Sequence, residues 1–152
     1  MVGARGDETR LAVAAELGAD YTLMVSDADP VDFVMGLGDG FGADLVVDCT
    51  GVSAALQQAM AMVRPNGRIA KIGWGPEPLG FSLDPLVGKA VTLQGSFSHT
   101  YASWERVLRL MANGQLNLDA VIGGVYSLTD WEAAFTHMEE GQNVKSVIRI
   151  DE

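Results

Sequence analysis

The sequence predicts an α/β protein built on parallel strands, and three observations lead to this prediction. Segment 43–75 reads as strand, turn, helix and strand, because two apolar runs flank a helix-length segment. Strand-like and helix-like segments alternate on both sides of it. Successive apolar runs end in glycine. Such alternation is typical of βαβ units in a parallel sheet, whose strands bind ligands at their carboxyl ends.

The composition describes one ordered domain over residues 1–152. Of these residues, 48% are hydrophobic and 20% charged, which suits a globular chain with a sizeable core. The net charge of −10 argues against nucleic acid and membrane surfaces as partners. The single cysteine can form no disulfide within the chain, and the sequence shows no signal peptide. We therefore expect a cytoplasmic location.

The chain before residue 43 predicts alternating strands and helices, delimited by capping residues. Asp7 suits an N-cap and Gly18 a C-cap, while the glycines between 36 and 42 indicate a loop. The predicted elements are, in order, a strand end at Met1–Ala4, a helix from Asp7 to about Leu17, a strand at Tyr21–Val25 and a short helix from Pro30.

Segment 43–75 gives strand Ala43–Cys49, helix Val52–Val63, a turn at 64–67 and strand Arg68–Gly75. A proline- and glycine-rich loop over 76–85 follows. The remaining chain repeats the alternation of strand and helix. Its predicted elements are a strand at 91–97, a helix from Tyr101 to Asn113, a strand at 121–128, a helix capped by Thr129 that ends at Gly141, and a strand at 145–150.

Two glycine patterns are candidates for nucleotide binding. Gly38-Asp-Gly-Phe-Gly-Ala43 fits the spacing of a dinucleotide-binding turn, but it follows a helix and precedes a strand, so we interpret it as a connecting loop. The second pattern is a glycine at each of three strand ends, where a flat ligand can approach the backbone closely. A simple turn explains each glycine equally well. The three ends are Cys49-Thr50-Gly51, Ile72-Gly73-Trp74 and Leu93-Gln94-Gly95.

The sequence offers no metal or nucleophile site. Cys49, His99 and His137 lack the spacing of zinc ligands, and we expect Cys49 to be a small buried residue. His99 is interpreted as a loop histidine facing solvent. The helical stripes that contain Trp104 and Trp131 are interpreted as core or interface.

Several segments together resemble the C-terminal part of the zinc-dependent medium-chain alcohol dehydrogenases, most closely the polyol and threonine dehydrogenase branch. Their order and spacing from Thr9 to Ile150 carry the resemblance. The segments are Arg10–Asp20, Gly42–Gly51, Val63–Ile69, Gly95–Phe97, Ser103–Glu105, Tyr126–Phe135 and Gly141–Val147.

The resemblance implies a Rossmann-like, doubly wound parallel sheet that lacks the first strand, the glycine-rich turn and the first helix. It also implies an NAD or NADP site. Lys145 falls where relatives carry a basic residue that reaches the cofactor pyrophosphate, and Arg5 can meet a 2′-phosphate. The strand-end residues are implied to line the adenosine side at Cys49, Thr50 and Gly51, and the nicotinamide side at Ile72, Gly73, Trp74, Leu93 and Gln94.

The departures from the family pattern lead to two expectations. Family members carry zinc ligands in a catalytic domain that does not precede Met1 here, so we expect no zinc site and no activity from this chain alone. The absent first strand is central in the family sheet. We therefore expect strands Tyr21–Val25 and Ala43–Cys49 to lose a shared neighbour and to expose unpaired edges, so that the chain rearranges, borrows a strand from a second copy or belongs to a longer protein.

Three functions remain open at this stage. The first is the cofactor-binding portion of an NAD(P)-dependent alcohol or polyol dehydrogenase. The second is a non-catalytic assembly module that forms a dimer through the edge strand 91–96 or by strand exchange. The third is a zinc-free quinone reductase, which segments Ser103–Glu105 and Asp130–Glu132 disfavour.

Overall fold

The structure is a computed structural model that describes residues 1–150. Its contacts divide the chain into two compact units, one containing residues 28–98 and the other residues 1–27 with the segment from 99 onward. The single domain over 1–152 stays a prediction.

The elements are β1 (Val2–Gly3), α1 (Glu8–Glu16), β2 (Leu23–Met24), α2 (Pro30–Met35), β3 (Ala43–Asp48), α3 (Ser53–Met62), β4 (Val63–Lys71), α4 (Asp84–Gly88), β5 (Thr92–Gly95), α5 (Tyr101–Ala112), β6 (Ile122–Ser127), α6 (Trp131–Glu139) and β7 (Lys145–Arg149).

Every strand pairing among the described residues is parallel, which confirms the α/β class. The sheets are β1–β2, β3–β4–β5 and β6–β7. Two βαβ units, β3–α3–β4 and β6–α6–β7, each lie within one compact unit. No helix of the described chain is long and apolar enough to cross a membrane.

The two strands that were expected to lose a neighbour, β2 and β3, each have one unpaired edge among the described strands. β3 pairs with β4 alone, so within the described strands its other edge has no partner. β2 pairs with β1 through Leu23 and Met24 and likewise has one edge without a partner among the described strands. That the two unpaired edges flank one absent strand stays a prediction. The two residues of β1, Val2 and Gly3, are the whole pairing partner of β2.

The unit over 28–98 is organised around an apolar core between α3 and its sheet. The five buried members are Leu56, Ala59, Met60, Val63 and Ile69. α3 supplies three of them at helical spacing, and β4 supplies Ile69 on the sheet face toward the helix. The helix C-terminus is held by Lys89, whose Nζ donates to the carbonyls of Met60, Ala61 and Val63 at 2.7–2.9 Å.

The predicted turn at 64–67 is present as an irregularity inside β4. β3 pairs Ala43 with Val63 and then Leu45 with Arg68, so the residues between bulge out of the ladder. Asn66 has a φ of 59° there, which asparagine tolerates better than most residues.

The N-termini of α1 and α2 are held differently. Asp29 caps α2 by accepting from the amides of Val31 and Asp32. Pro30 is the first helical residue, as predicted. Asp7 precedes α1 but makes no side-chain cap, because its carboxylate accepts from the amide of Ala4 and pairs with Arg10. Helix α4 was not predicted and begins inside the proline- and glycine-rich loop.

In the unit of residues 1–27 and 99 onward, α6 is attached to its strands mainly by polar contacts. α6 buries only Ala134, and the Tyr126 hydroxyl lies 2.7 Å from Nδ1 of His137 on that helix. The Ser146 hydroxyl donates to the Ala134 carbonyl at 2.8 Å. These bonds connect α6 to β6 and β7.

The tryptophans of the two helical stripes are not core. Trp104 on α5 is 52% exposed and Trp131 on α6 is 50% exposed, and α5 buries no residue. The core interpretation was therefore wrong for Trp104 and Trp131, whereas Ala134 of the α6 stripe is buried. The interface interpretation stays a prediction.

Candidate functional site

The carboxyl ends of β3 and β4 meet in two interlocking turns. After β3 the chain passes through Cys49, Thr50 and Gly51, and after β4 through Ile72, Gly73 and Trp74. The amides of Ile72 and Gly73 both donate to the carbonyl of Asp48, at 2.8 and 2.9 Å. The structure thus brings these six predicted site residues together.

The glycines of the two turns are required by their contact with each other. A Cβ on Gly73 would lie 2.4 Å from the Cys49 carbonyl carbon and from the Gly51 nitrogen. A Cβ on Gly51, whose φ is 74°, would lie 2.5 Å from the carbonyl oxygen of Trp74. Close packing of the turns therefore explains both glycines without a ligand, although their role in cofactor binding stays a prediction.

The third strand end differs. Nothing lies within 4 Å of the position where a Cβ of Gly95 would stand. Leu93 and Gln94 pair in register with Ile69 and Ala70 of β4, and both are exposed. The end of β5 thus leaves open space beside the sheet.

An aromatic and aliphatic surface is exposed at this edge. Trp74 and Phe97 are 82% and 83% exposed and meet edge to face, with ring centroids 6.0 Å apart. Ile72, in the same turn as Trp74, is about half exposed. Flat apolar side chains beside open backbone suit a ligand that carries planar rings.

The sequence reasoning missed the ion pair that connects the turns. Asp48 and Lys71 are direct partners in the register of β3 and β4, and Lys71 Nζ lies 2.8 Å from Oδ2 of Asp48. The Asp48 side chain is 2% exposed. Opposite charges at the ends of two predicted neighbouring strands were the available signal.

Both members of the pair also hold backbone. Oδ1 of Asp48 accepts from the amide and the hydroxyl of Thr50, at 2.9 and 2.8 Å. Lys71 Nζ donates to the Gly73 carbonyl at 2.6 Å. Burial works to raise the pKa of the Asp48 carboxyl, but the hydrogen bonds from Lys71 and Thr50 outweigh it and hold that pKa below its ordinary value.

Arg5 and Lys145, the two predicted basic contacts to cofactor, belong to the other compact unit. Arg5 is exposed in the turn between β1 and α1. Lys145 is the exposed first residue of β7, where it pairs with Ile122 of β6.

The described residues do not fit a zinc ion. Among residues 1–150, no group of three or more histidine, cysteine or acidic side chains is arranged to hold a metal. Cys49 is exposed, so its prediction as a buried residue was wrong: the chain has already left the sheet at that point. His99 is exposed as predicted and packs edge to face against Trp104, with ring centroids 5.1 Å apart.

The glycine-rich segment 38–42 is a connecting loop, as interpreted. It lies between the end of α2 and the start of β3, and Gly38, Gly40 and Gly42 all have positive φ. The element that begins directly after it is strand β3, so this segment presents no helix N-terminus to a phosphate.

Comparison with known proteins agrees with this architecture. The family model for zinc-binding dehydrogenases matches residues 1–113. Sorbitol dehydrogenase of Halalkalibacterium halodurans is 29% identical over 149 residues, covering 97% of this chain and 43% of its own length. L-threonine 3-dehydrogenase of Thermococcus kodakarensis is 34% identical over 143 residues, covering 92% and 41%.

Solved structures show the same fold. Alcohol dehydrogenase TADH from Thermus sp. ATN1 superposes with a TM-score of 0.88 at 25% identity over 99% of this chain and 43% of its own. 2R,3R-butanediol dehydrogenase from Bacillus subtilis gives 0.87 at 24%, with the same coverage. The chain spans less than half the length of these relatives, and its parallel strands match their Rossmann-like cofactor-binding domain. The chain belongs to the zinc-binding dehydrogenase family and corresponds to the C-terminal part of its members.

Proposed function

We propose that this chain is the cofactor-binding portion of an NAD(P)-dependent, zinc-type alcohol or polyol dehydrogenase. The observation that carries the proposal is the open, aromatic edge at the carboxyl ends of β3, β4 and β5, in a chain of this family. In open parallel sheets that edge is where dinucleotides bind. The sorbitol and threonine dehydrogenases among the relatives favour this function over a zinc-free quinone reductase.

The proposed contacts divide between the two turns and β5. Backbone at Cys49, Thr50 and Gly51 borders the adenosine side. The nicotinamide side is bordered by Ile72, Gly73, Trp74, Leu93 and Gln94. Lys145 contributes a point charge to the pyrophosphate, and Arg5 contributes one to a 2′-phosphate when the cofactor is NADP.

The chain by itself supplies binding surface rather than chemistry. The cofactor carries the hydride, and a zinc ion polarises the alcohol oxygen in this class of reaction. The described residues offer no ligand set for that ion. We therefore propose that the isolated chain does not oxidise alcohols, with or without added zinc, in an assay that follows NADH or NADPH absorbance.

Calorimetric titration with NAD and with NADP tests the binding proposal. We expect a dissociation constant in the millimolar range or tighter for at least one dinucleotide. Trp74→Ala should weaken that binding, because the ring forms the exposed part of the edge, whereas Trp131→Ala on α6 is the matched control and should not. No heat with either dinucleotide at millimolar concentration would remove the proposal.

The two basic residues are tested separately. Lys145→Ala should weaken NAD and NADP alike, since both carry the pyrophosphate. Arg5→Ala should weaken NADP alone, by roughly tenfold for a lost charged hydrogen bond. Unchanged affinities in these variants would contradict the phosphate contacts.

A second proposal is that two copies associate through the edge strand 91–96. β5 pairs with β4 on one side, has no second partner among the described strands, and is exposed along its whole length. Pairing of two such edges would extend the sheet across two copies. Strand exchange at the unpaired edge of β3 is the alternative form of dimer.

Sedimentation velocity tests this association. We expect a dimer for the natural chain and a monomer for Gln94→Lys, which places like charges on the edge strand. If Gln94→Lys remains dimeric while Val47→Lys on β3 gives a monomer, strand exchange is the better description. A monomer at all concentrations would contradict both.

A further inference from the structure

The Asp48–Lys71 pair couples the two turns of the candidate site. Asp48 holds the turn after β3 through the amide and hydroxyl of Thr50, whose Oγ1 in turn accepts from the amide of Val52 at 3.0 Å. Lys71 holds the turn after β4 through the carbonyl of Gly73. The 2.8 Å contact between their charged groups joins the two sets of bonds into one network.

The hydrogen bonds of Asp48 extend beyond its own turn, so its role is not confined to capping that turn. Asp48 is 4% exposed and follows the apolar run 45–47 of β3, so the sequence places a charge where a hydrophobic residue would pack without desolvation cost. Burying a carboxylate costs stability unless it is paired and hydrogen-bonded. Both carboxylate oxygens of Asp48 have such partners. Those partners belong to Thr50 in one turn and to Lys71 at the start of the other.

We propose that Asp48 and Lys71 are positioning residues that fix both turns as one rigid wall for the dinucleotide. This inference rests on the proposed function, because the wall is the site to which the cofactor is assigned. Neither side chain contacts the cofactor. They act through the backbone of Thr50, Gly51 and Gly73, and their contribution to affinity is preorganisation of that backbone.

The first measurement needs no cofactor. Amide hydrogen exchange followed by NMR should show Thr50, Val52 and Gly73 protected in the natural chain. In Lys71→Met their exchange should accelerate roughly tenfold, as for loss of a charged hydrogen bond. Arg64→Met is the matched control: Arg64 pairs with Asp39 and Asp44 in the same unit, and its removal should leave the turn amides unchanged.

A neutral double variant separates the two turns. Asp48→Asn with Lys71→Met buries no unpaired charge, and the amide oxygen of the substituted side chain can still accept from Thr50. We expect Thr50 to keep its protection while Gly73 exchanges faster. This variant also covers the case in which Lys71→Met alone does not fold. Exchange of all three amides at the rates of the natural chain in both variants would overturn the coupling.

The second measurement is cofactor affinity, by calorimetric titration. Lys71→Met should weaken dinucleotide binding roughly tenfold, and Lys71→Arg, which keeps the charge, should restore most of it. Faster turn exchange with unchanged affinity would reduce the pair to a structural role and overturn the positioning role. Absence of dinucleotide binding in the natural chain would instead refute the proposed function, while exchange would still decide whether the pair orders the turns.

Discussion

The two βαβ units of this chain are alike in connectivity and differ in what holds them together. In β3–α3–β4, the helix packs on the sheet through an apolar core, and a charged pair joins the ends of the two strands. In β6–α6–β7, a neutral network of hydrogen bonds lies between helix and strands, and Ala134 is the one buried apolar residue of α6. The same topology is thus compatible with an apolar or a polar helix attachment.

The neutral network of the β6–α6–β7 unit joins Tyr126, His137 and Asn143 by hydrogen bonds. With the amide of Asn143 oriented to accept from the Tyr126 hydroxyl at 2.6 Å, its nitrogen donates to the Gly123 carbonyl at 3.0 Å. Since the hydroxyl donates to the amide, Nδ1 of His137 must donate to the hydroxyl. Asn143 is 9% exposed, so these bonds replace water. The network therefore stabilises the attachment of α6 to β6 and β7.

We expect the largest loss of stability from a substitution that disrupts the close contact between the turns of the β3–α3–β4 unit. Gly73→Ala should lower the free energy of unfolding by about 3 kcal/mol, because the added methyl overlaps backbone of the neighbouring turn that cannot move aside. Gly95→Ala, which meets open space, is the control and should change it by less than about 0.5 kcal/mol. Urea unfolding measures both. Equal effects at the two positions would contradict the interlocked turns.

The next effect concerns the end of α3. Lys89→Met should cost about 2 kcal/mol, since the ammonium group serves three carbonyls at the helix C-terminus and leaves them unsatisfied when removed. The control is Arg109→Met, which removes an exposed pair with Glu105 on α5 and should cost less than about 0.5 kcal/mol. If both variants unfold at the same urea concentration as the natural chain, the lysine is not a helix cap.

A smaller effect tests the neutral network. Tyr126→Phe should cost about 1.5 kcal/mol, because His137 and Asn143 lose their shared partner inside the unit. Tyr101→Phe, at a ring that is 84% exposed, should be neutral by comparison. The same urea series measures it, and a neutral Tyr126→Phe would show that α6 is held mainly by Ala134 and Ser146.

The smallest expected effect is a pH dependence of stability that arises from the charge of Asp48. The pKa of Asp48 is lower in the folded state than its unfolded value, so its contribution to stability is present above about pH 4 and is lost as the pH falls through the folded pKa. The natural chain should therefore lose more stability than Asp48→Asn on acidification from about pH 5 to about pH 3. Parallel pH curves for the two proteins would contradict a charged Asp48 in the folded state.

Much of the fold followed from local patterns. The helices at 8–16, 30–35, 53–62 and 101–112 follow apolar periodicity and caps that are legible in the sequence, such as Asp29 before Pro30. Strands β2 and β5 are shorter than their apolar runs suggested, because a strand ends where its pairing partner ends rather than where β-propensity does. The exposure of Cys49, Trp104 and Trp131 depends on which elements cover them, which no local pattern contains.

The alternation of strands and helices and the placement of glycines predicted the parallel α/β class, the family and the strand ends at 49–51 and 72–74, because these patterns are local. Why the turns at these strand ends need glycine, and what joins them, follows from the pairing of β3 with β4. The register of β3 on β4 sets Asp48 against Lys71 and brings the backbone of one turn within contact of the other. Such contacts depend on distances between residues that are far apart in sequence, and those distances exist only after the strands have paired.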